Sequence, residues 1–137
     1  FTFEGFYGDS YGQALMHGPT FMGNALACSV ALAGIETFEK EQYLTKVDQI
    51  EQILRRELIE KWDWQSIDLI KDVRVMGAIG VIETHSSASI HGFQAFAIDQ
   101  HVWIRPFLEY IYTMPPYIIS ENQLMQVTSA MKAWFNR

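Results

Sequence analysis

The sequence predicts an α+β layer, a small sheet covered by helices, and three observations carry that prediction. Apolar residues recur at helical spacing over 24–38, 41–62 and 120–134; β-branched runs occupy 73–83 and 102–117; no internal repeat or low-complexity tract interrupts them. At 137 residues the chain is one domain or a large piece of one. The predicted order is helix, helix, strand, helix, hairpin, helix.

Residues 1–20, dotted with glycines and aromatics but without a sustained period, read as a loop with one short strand. HGPTFMGN, residues 17–24, then sets a turn ahead of a helix of mostly small residues, with Asn24 placed to cap it and Leu26, Ala27, Val30, Ala31, Gly34 and Phe38 following at helical spacing. Free N–H groups and the helix dipole suit an anion there, although many helices begin this way with nothing bound. In the second helix, 41–62, Tyr43, Val47, Ile50, Leu54, Leu58 and Trp62 form one stripe. Glu51 with Arg55, and Glu57 with Lys61, are i,i+4 pairs on what reads as a solvated face, each adding ~0.2–0.5 kcal/mol.

VRVMGAIGVIE, residues 73–83, reads as one strand covered on both faces, with Gly77 and Gly80 marking a bulge or a close backbone approach. A turn bearing Ser86, Ser87 and Ser89 leads into a short helix carrying Ile90, Phe93 and Ala97 that ends near His101. VWIRPF and IYTMPPY read as the two strands of a hairpin turning at 108–110, stopped by Pro115 and Pro116. Ser120 and Gln123 form a capping-box pattern, Ile119 and Leu124 a hydrophobic staple, and Leu124, Val127, Met131 and Trp134 stripe the last helix.

The formal charge of −6, from 10 basic and 16 acidic residues without a basic stripe, argues against a nucleic-acid partner. Cys28, the single cysteine, leaves no internal disulfide and fits a reducing compartment such as the cytoplasm. FMGNALACSVALAGI is shorter than the ~20 apolar residues of a membrane span. The opening FTFEGFYGDSYG lacks the basic head of a secretion signal and does not read as a natural beginning. His17, His85, His91 and His101 have no metal-ligand spacing, so no metal site is expected. Glu36 and Glu83 are isolated carboxylates and the serines of 86–89 read as a capping turn, so no hydrolase constellation emerges, nor does a Walker or Rossmann glycine pattern.

Arg105 is the most unusual charged residue. Strand alternation sends Trp103, Arg105 and Phe107 to one face and Val102 and Ile104 to the other, leaving a guanidinium between two aromatic rings. It needs either an internal carboxylate or a ligand carboxylate held by two parallel hydrogen bonds, and the residue pattern alone favours the internal salt bridge.

Taken together, HGPTFMGN with the ALACSVA helix, VRVMGAIGVIE, VWIRPF and YTMPPYII resemble, in that order, the C-terminal third of the adenosylmethionine-8-amino-7-oxononanoate aminotransferases of biotin biosynthesis, which are class III, fold-type I pyridoxal-phosphate enzymes. The resemblance runs over the whole chain and is weakest at 1–14 and 39–70. It implies a fold in which residues 1–37 end the large cofactor-binding domain with an interface helix that crosses to a small domain, 38–137. It further implies that Gly18 lies against the keto-acid substrate, that Pro19 and Thr20 reach the phosphate of pyridoxal 5'-phosphate in the neighbouring subunit of a homodimer, and that Arg105 binds the substrate carboxylate. Arg105 thereby becomes a ligand residue. Donor and acceptor would be S-adenosylmethionine and 8-amino-7-oxononanoate.

Two positions depart from the family pattern, Ala25 for a usual Pro and His101 for a usual Gly. Ala is harmless at a first helical position, whereas a helix-ending Gly often takes positive φ, which His tolerates less well. The family's covalent lysine precedes the HGPTF turn, and Lys40, Lys46, Lys61, Lys71 and Lys132 do not occupy a Gly-rich apolar loop, so the sequence reads as an inactive fragment with no catalytic residue of its own. Two other readings stay open, another class III aminotransferase and a non-catalytic interaction domain. The small-residue helix, if uncovered, is expected to drive self-association.

Overall fold

In a computed structural model, residues 5–14 and 17–137 are described. The chain divides into two units, Phe1–Lys40 and Glu41–Arg137.

In the first unit residues 5 and 6 are helical and Tyr11–Gln13 form a 3-10 turn, so residues 5–14 and 17–20 hold no strand, contrary to the expectation from sequence; residues 1–4 and 15–16, on which the rest of that expectation falls, lie outside the described residues. Local bonds such as Gln13 N–H to Ser10 O, 3.0 Å, close the backbone on itself instead of offering it to a ladder. The HGPTF turn follows, with Met22 N–H donating to Pro19 O (2.9 Å) and Asn24 N–H to Phe21 O (3.1 Å). Helix α1, Ala25–Lys40, begins where the sequence places it: Asn24 Oδ1 accepts from Ala27 N–H at 2.9 Å, satisfying a donor that has no intrahelical partner. Every α1 residue except Phe38 is exposed, including Leu26 (75%) and Val30 (64%).

The second unit is α+β. Helix α2, Tyr43–Arg55, runs on into a π-helical turn, Arg56–Glu60. Strands β1, Ile70–Met76, β2, Ile79–Thr84, and β3, Tyr110–Thr113, make an antiparallel sheet in the order β1-β2-β3, with helix α3, Phe93–Asp99, between β2 and β3 and helix α4, Glu121–Ala133, after them. The inner row across the sheet is Val73, Ile82 and Ile111, which pack with Leu54, Leu58, Phe93, Leu124 and Met131 in one core. Burying roughly half a dozen such side chains supplies ~1.5–3 kcal/mol each, before chain entropy is counted. The α2 stripe and the α4 stripe meet there, and the Ser120–Gln123 capping box forms with both of its bonds.

Three sequence expectations are corrected. Residues 73–83 are not one strand: they fold at Gly77 and Ala78 into a hairpin whose register pairs Met76 with Ile79, and Gly77 holds φ +53, which an L side chain resists. Nor is that ladder covered on both faces, because Lys71, Arg74 and Met76 of β1 point to solvent. Gly80 is a close approach, since a Cβ there would stand 3.0 Å from Leu58 Cδ1. Finally, VWIRPF does not pair as a hairpin strand. Pro106 has no N–H to give a ladder, β3 takes β2 as its partner, and only the Phe107–Tyr110 bridge remains of the expected hairpin. His101, standing where glycine was usual, does take positive φ, +60.

Candidate functional site

Although residues 102–107 are not a strand, their alternation holds. Val102 and Ile104 are buried (7% and 4%), while Trp103, Arg105 and Phe107 face outward. Arg105 lines a hollow of about 330 Å³ with Trp103, Tyr112, Met114, Pro115 and Pro116. The two prolines terminate β3 and turn the chain across one side of this hollow. A larger open depression, about 710 Å³, lies between α3 and Leu108 and contains no Lys, Arg, Asp or Glu, and a hollow of about 340 Å³ between α2 and α4 holds Lys46 and Arg56, both already paired with glutamates.

The remaining cations of the second unit are engaged. Arg55 holds Glu51 (2.7 Å), Arg56 holds Glu121 (2.7 Å) and Glu57, Arg74 bridges Asp72 and Glu83, and Lys46, Lys61, Lys71 and Lys132 each have a glutamate. Arg137 stacks 3.4 Å from the Trp134 ring centroid. Among the described residues Arg105 alone in this unit has no carboxylate, carbonyl or ring partner. The internal salt bridge that residue pattern alone favoured is therefore not formed there. Trp103, Arg105 and Phe107 thus share the outward side of the segment, and a guanidinium free of protein carboxylates beside this hollow has the donor geometry that a carboxylate can accept from.

Lys71 and Glu83 illustrate the opposite, structural use of charge. Hydrogen bonds from Lys71 and Arg74 hold the Glu83 carboxyl below the ordinary range, and the bond to Glu83 in turn raises Lys71. Lys71 is thus more firmly protonated than a free lysine, the reverse of what a nucleophilic amine requires.

In the first unit Gly18, Pro19 and Thr20 are exposed at the turn before α1. Among the described residues neither the Thr20 hydroxyl nor the N–H groups of Thr20 and Phe21 have a partner. A hydroxyl and adjacent free N–H groups are the donor set that phosphate oxygens take, so these residues fit the phosphate of pyridoxal phosphate.

Residues 7–135 match the family described as aminotransferase class-III. The chain belongs to the class-III aminotransferases. Among curated relatives, the adenosylmethionine-8-amino-7-oxononanoate aminotransferase of Corynebacterium glutamicum is 43% identical over 122 residues, 89% of this chain and 28% of the relative. The enzyme of the same name from Saccharomyces cerevisiae is 40% identical over 124 residues, 88% of this chain and 26% of the relative. The chain thus spans about 28% of the length of the first curated relatives it matches. The fold is shared with solved transaminases: the adenosylmethionine-8-amino-7-oxononanoate aminotransferase of Methanocaldococcus jannaschii superposes with TM-score 0.74 at 24% identity, over 98% of this chain and 33% of that one. A transaminase solved with L-alanine gives the same score at 23% identity, over 89% and 31%.

Sequence reasoning missed two things here. Tyr112 and Met114 line the hollow, and the MPP tripeptide that follows β3 was their signal. Glu57 is buried (7%), not solvated, and accepts from Arg56, Lys61 and Lys132. Its place three residues after Leu54, on the edge of the apolar stripe, is the signal that could have revealed it.

Proposed function

We propose that the complete protein is a pyridoxal-phosphate-dependent transaminase that moves an amino group from S-adenosylmethionine to 8-amino-7-oxononanoate, giving 7,8-diaminononanoate for biotin biosynthesis. The observation that carries this reading is Arg105, a guanidinium left without a protein partner beside an apolar hollow, as an acceptor with a carboxylate at the end of an aliphatic chain requires. The names of the relatives at 40–43% identity support the same substrates.

In this reading Thr20 and Pro19 hold the cofactor phosphate of a neighbouring subunit in a homodimer, Gly18 lies along the acceptor, and Arg105 grips its carboxylate. The uncovered apolar side chains of α1, Leu26, Val30, Leu32 and Ile35, support an interface role for that helix. When bound, the cofactor supplies the electron sink and the amino-group carriage. Residues 1–37 end the large domain and 38–137 form the small domain. Lys46, Lys61, Lys71 and Lys132 are tied to glutamates and Lys40 lies on exposed α1, so the covalent lysine is assigned to the chain preceding Gly18, and the 137 residues alone are inactive. Such a protein works in the cytoplasm; no described helix is long and apolar enough to cross a membrane.

Replacing Arg105 with Ala in the complete protein should raise the KM for the keto acceptor by roughly 10- to 100-fold, the weight of a lost charge-assisted pair, with KM for S-adenosylmethionine nearly unchanged. Steady-state kinetics with each substrate varied in turn reads this directly. An unchanged acceptor KM would overturn the carboxylate assignment, and with it the choice of this acceptor over that of another class III transaminase.

A further inference from the structure

Residues 102–107 carry Arg105, and both ends of the segment turn on residues in the left-handed region, where a side chain is disfavoured. His101 has φ +60 and Leu108 has φ +50; the only other described non-glycine residue with positive φ is Gln42, before α2. Such outliers persist only where the surrounding structure over-determines them, and they concentrate at ligand-holding sites.

Both corners are over-determined. At the first, His101 N–H donates to Ile98 O (2.8 Å) and Val102 N–H to Ala97 O (2.9 Å), folding the chain back at the end of α3 and driving Val102 and Ile104 into the core. At the second, Phe107 and Tyr110 exchange both backbone bonds, 2.9 and 2.8 Å, across a two-residue loop whose first position is ordinarily glycine when φ is positive there. Thr84, 1% exposed, holds that loop: its N–H donates to Glu109 O at 3.0 Å, and its hydroxyl lies between Glu109 O (3.0 Å) and Ser86 O (2.9 Å). Leu108 itself is 63% exposed, so core burial does not account for a leucine in that backbone. What the two corners fix in common is the outward position of Arg105.

We propose that His101 and Leu108 are positioning residues for Arg105, holding the guanidinium preorganised for the acceptor carboxylate. The inference rests on the reading of Arg105 given above. A guanidinium on a slack segment would have to be ordered at each binding event; one fixed between two locked corners is ready.

The test uses the complete enzyme. Leu108→Val puts a β-branched residue where φ is positive and displaces the loop. The acceptor KM should rise about tenfold, since displacement of a binding group by about 1 Å can cost up to ~100-fold, while kcat and the KM for S-adenosylmethionine stay within about twofold. Leu108→Asn, which tolerates the left-handed region, should bring the acceptor KM back toward the wild-type value. In an Arg105→Ala background Leu108→Val should add nothing, because the residue acts through the arginine. Should Leu108→Val fail to fold, His101→Val against His101→Asn provides the same comparison at the other corner. A costly Arg105→Ala beside a silent Leu108→Val, or equal effects of Leu108→Val with and without Arg105, overturns positioning alone; a silent Arg105→Ala overturns the acceptor assignment first.

Discussion

At the scale of single residues, Arg105 and Glu57 show how one charge becomes available while another is consumed. Both sit beside buried apolar residues, Glu57 next to Leu58 and Arg105 next to Ile104. Glu57 lies under Arg56, Lys61 and Lys132; burial pushes its carboxyl up, but the hydrogen bonds from those three cations outweigh burial and hold it below the ordinary carboxylate range. Lys132 Nζ also donates to Glu57 O at 3.1 Å, so this carboxylate fastens α4 to the π-helical turn. Glu57→Gln should therefore lower stability by roughly 1–3 kcal/mol, because it leaves the largely buried Lys132 ammonium without a carboxylate, whereas Arg56 keeps Glu121. Lys61→Ala, at a mostly exposed position, should cost no more than about 0.5 kcal/mol. Urea unfolding of the two variants measures the difference, and equal midpoints would refute the buried node. Periodicity showed where Glu57 stands on its helix but not how deeply, because the lysine that caps it comes from α4, far along the chain. Arg105 was legible as an oddity; its freedom from protein partners was not, since that depends on where every other carboxylate folds.

At the scale of elements, the helices were legible and the strand pairing was not, for a physical reason. Helix ends are decided by neighbours three or four residues away, and Asn24, Ser120 and Gln123 form the caps their spacing predicts. A strand's partner and register are chosen by distant residues. The alternation of 73–83 continues through Gly77 and Ala78 without an Asn-Gly or Asp-Gly marker, so two strands read as one. The hairpin is in fact pinned from outside, as Glu51 accepts from Gly77 N–H at 2.9 Å and Arg55 donates to Val75 O at 3.1 Å. Gly77→Ala should destabilise by about 1 kcal/mol or more, since Ala resists positive φ and its Cβ would stand 3.1 Å from Val47 Cγ1. Thermal unfolding checks this, and an unchanged midpoint would show that the turn relaxes to another geometry. Likewise VWIRPF has strand composition, yet Pro106 keeps it out of the ladder and leaves Arg105 on an unpaired, outward segment.

At the scale of the whole second unit, the same carboxylates that join elements make its stability depend on pH, and the sign follows from the direction of their shifts. Glu51, Glu57 and Glu83 all lie below the ordinary carboxylate range: Glu51 through its bond from Arg55, Glu57 through its three cations against the cost of burial, Glu83 through Lys71 and Arg74. Each ties a different pair of elements, α2 to the β-hairpin turn, the π-helical turn to α4, and β1 to β2. A carboxyl whose folded value is depressed binds fewer protons in the folded state than in the unfolded one. Its stabilisation is complete above the unfolded value, ~4.3 for Glu, and is lost as the pH falls through the lower folded values. Lys71, raised by Glu83, has the opposite sense, its contribution being present below the unfolded lysine value and lost only as pH rises through the folded one. Between these limits the urea midpoint should be nearly flat, and below a pH of about 4 it should drop steeply. Glu57→Gln removes one of the three titrations, so its acid limb should be shallower than the wild type even though its neutral plateau is lower. Midpoints measured across the acid range in both proteins decide the point: parallel acid limbs would mean that Glu57 is not held ionised by its cations, and that α4 is fastened to the π-helical turn by apolar packing alone.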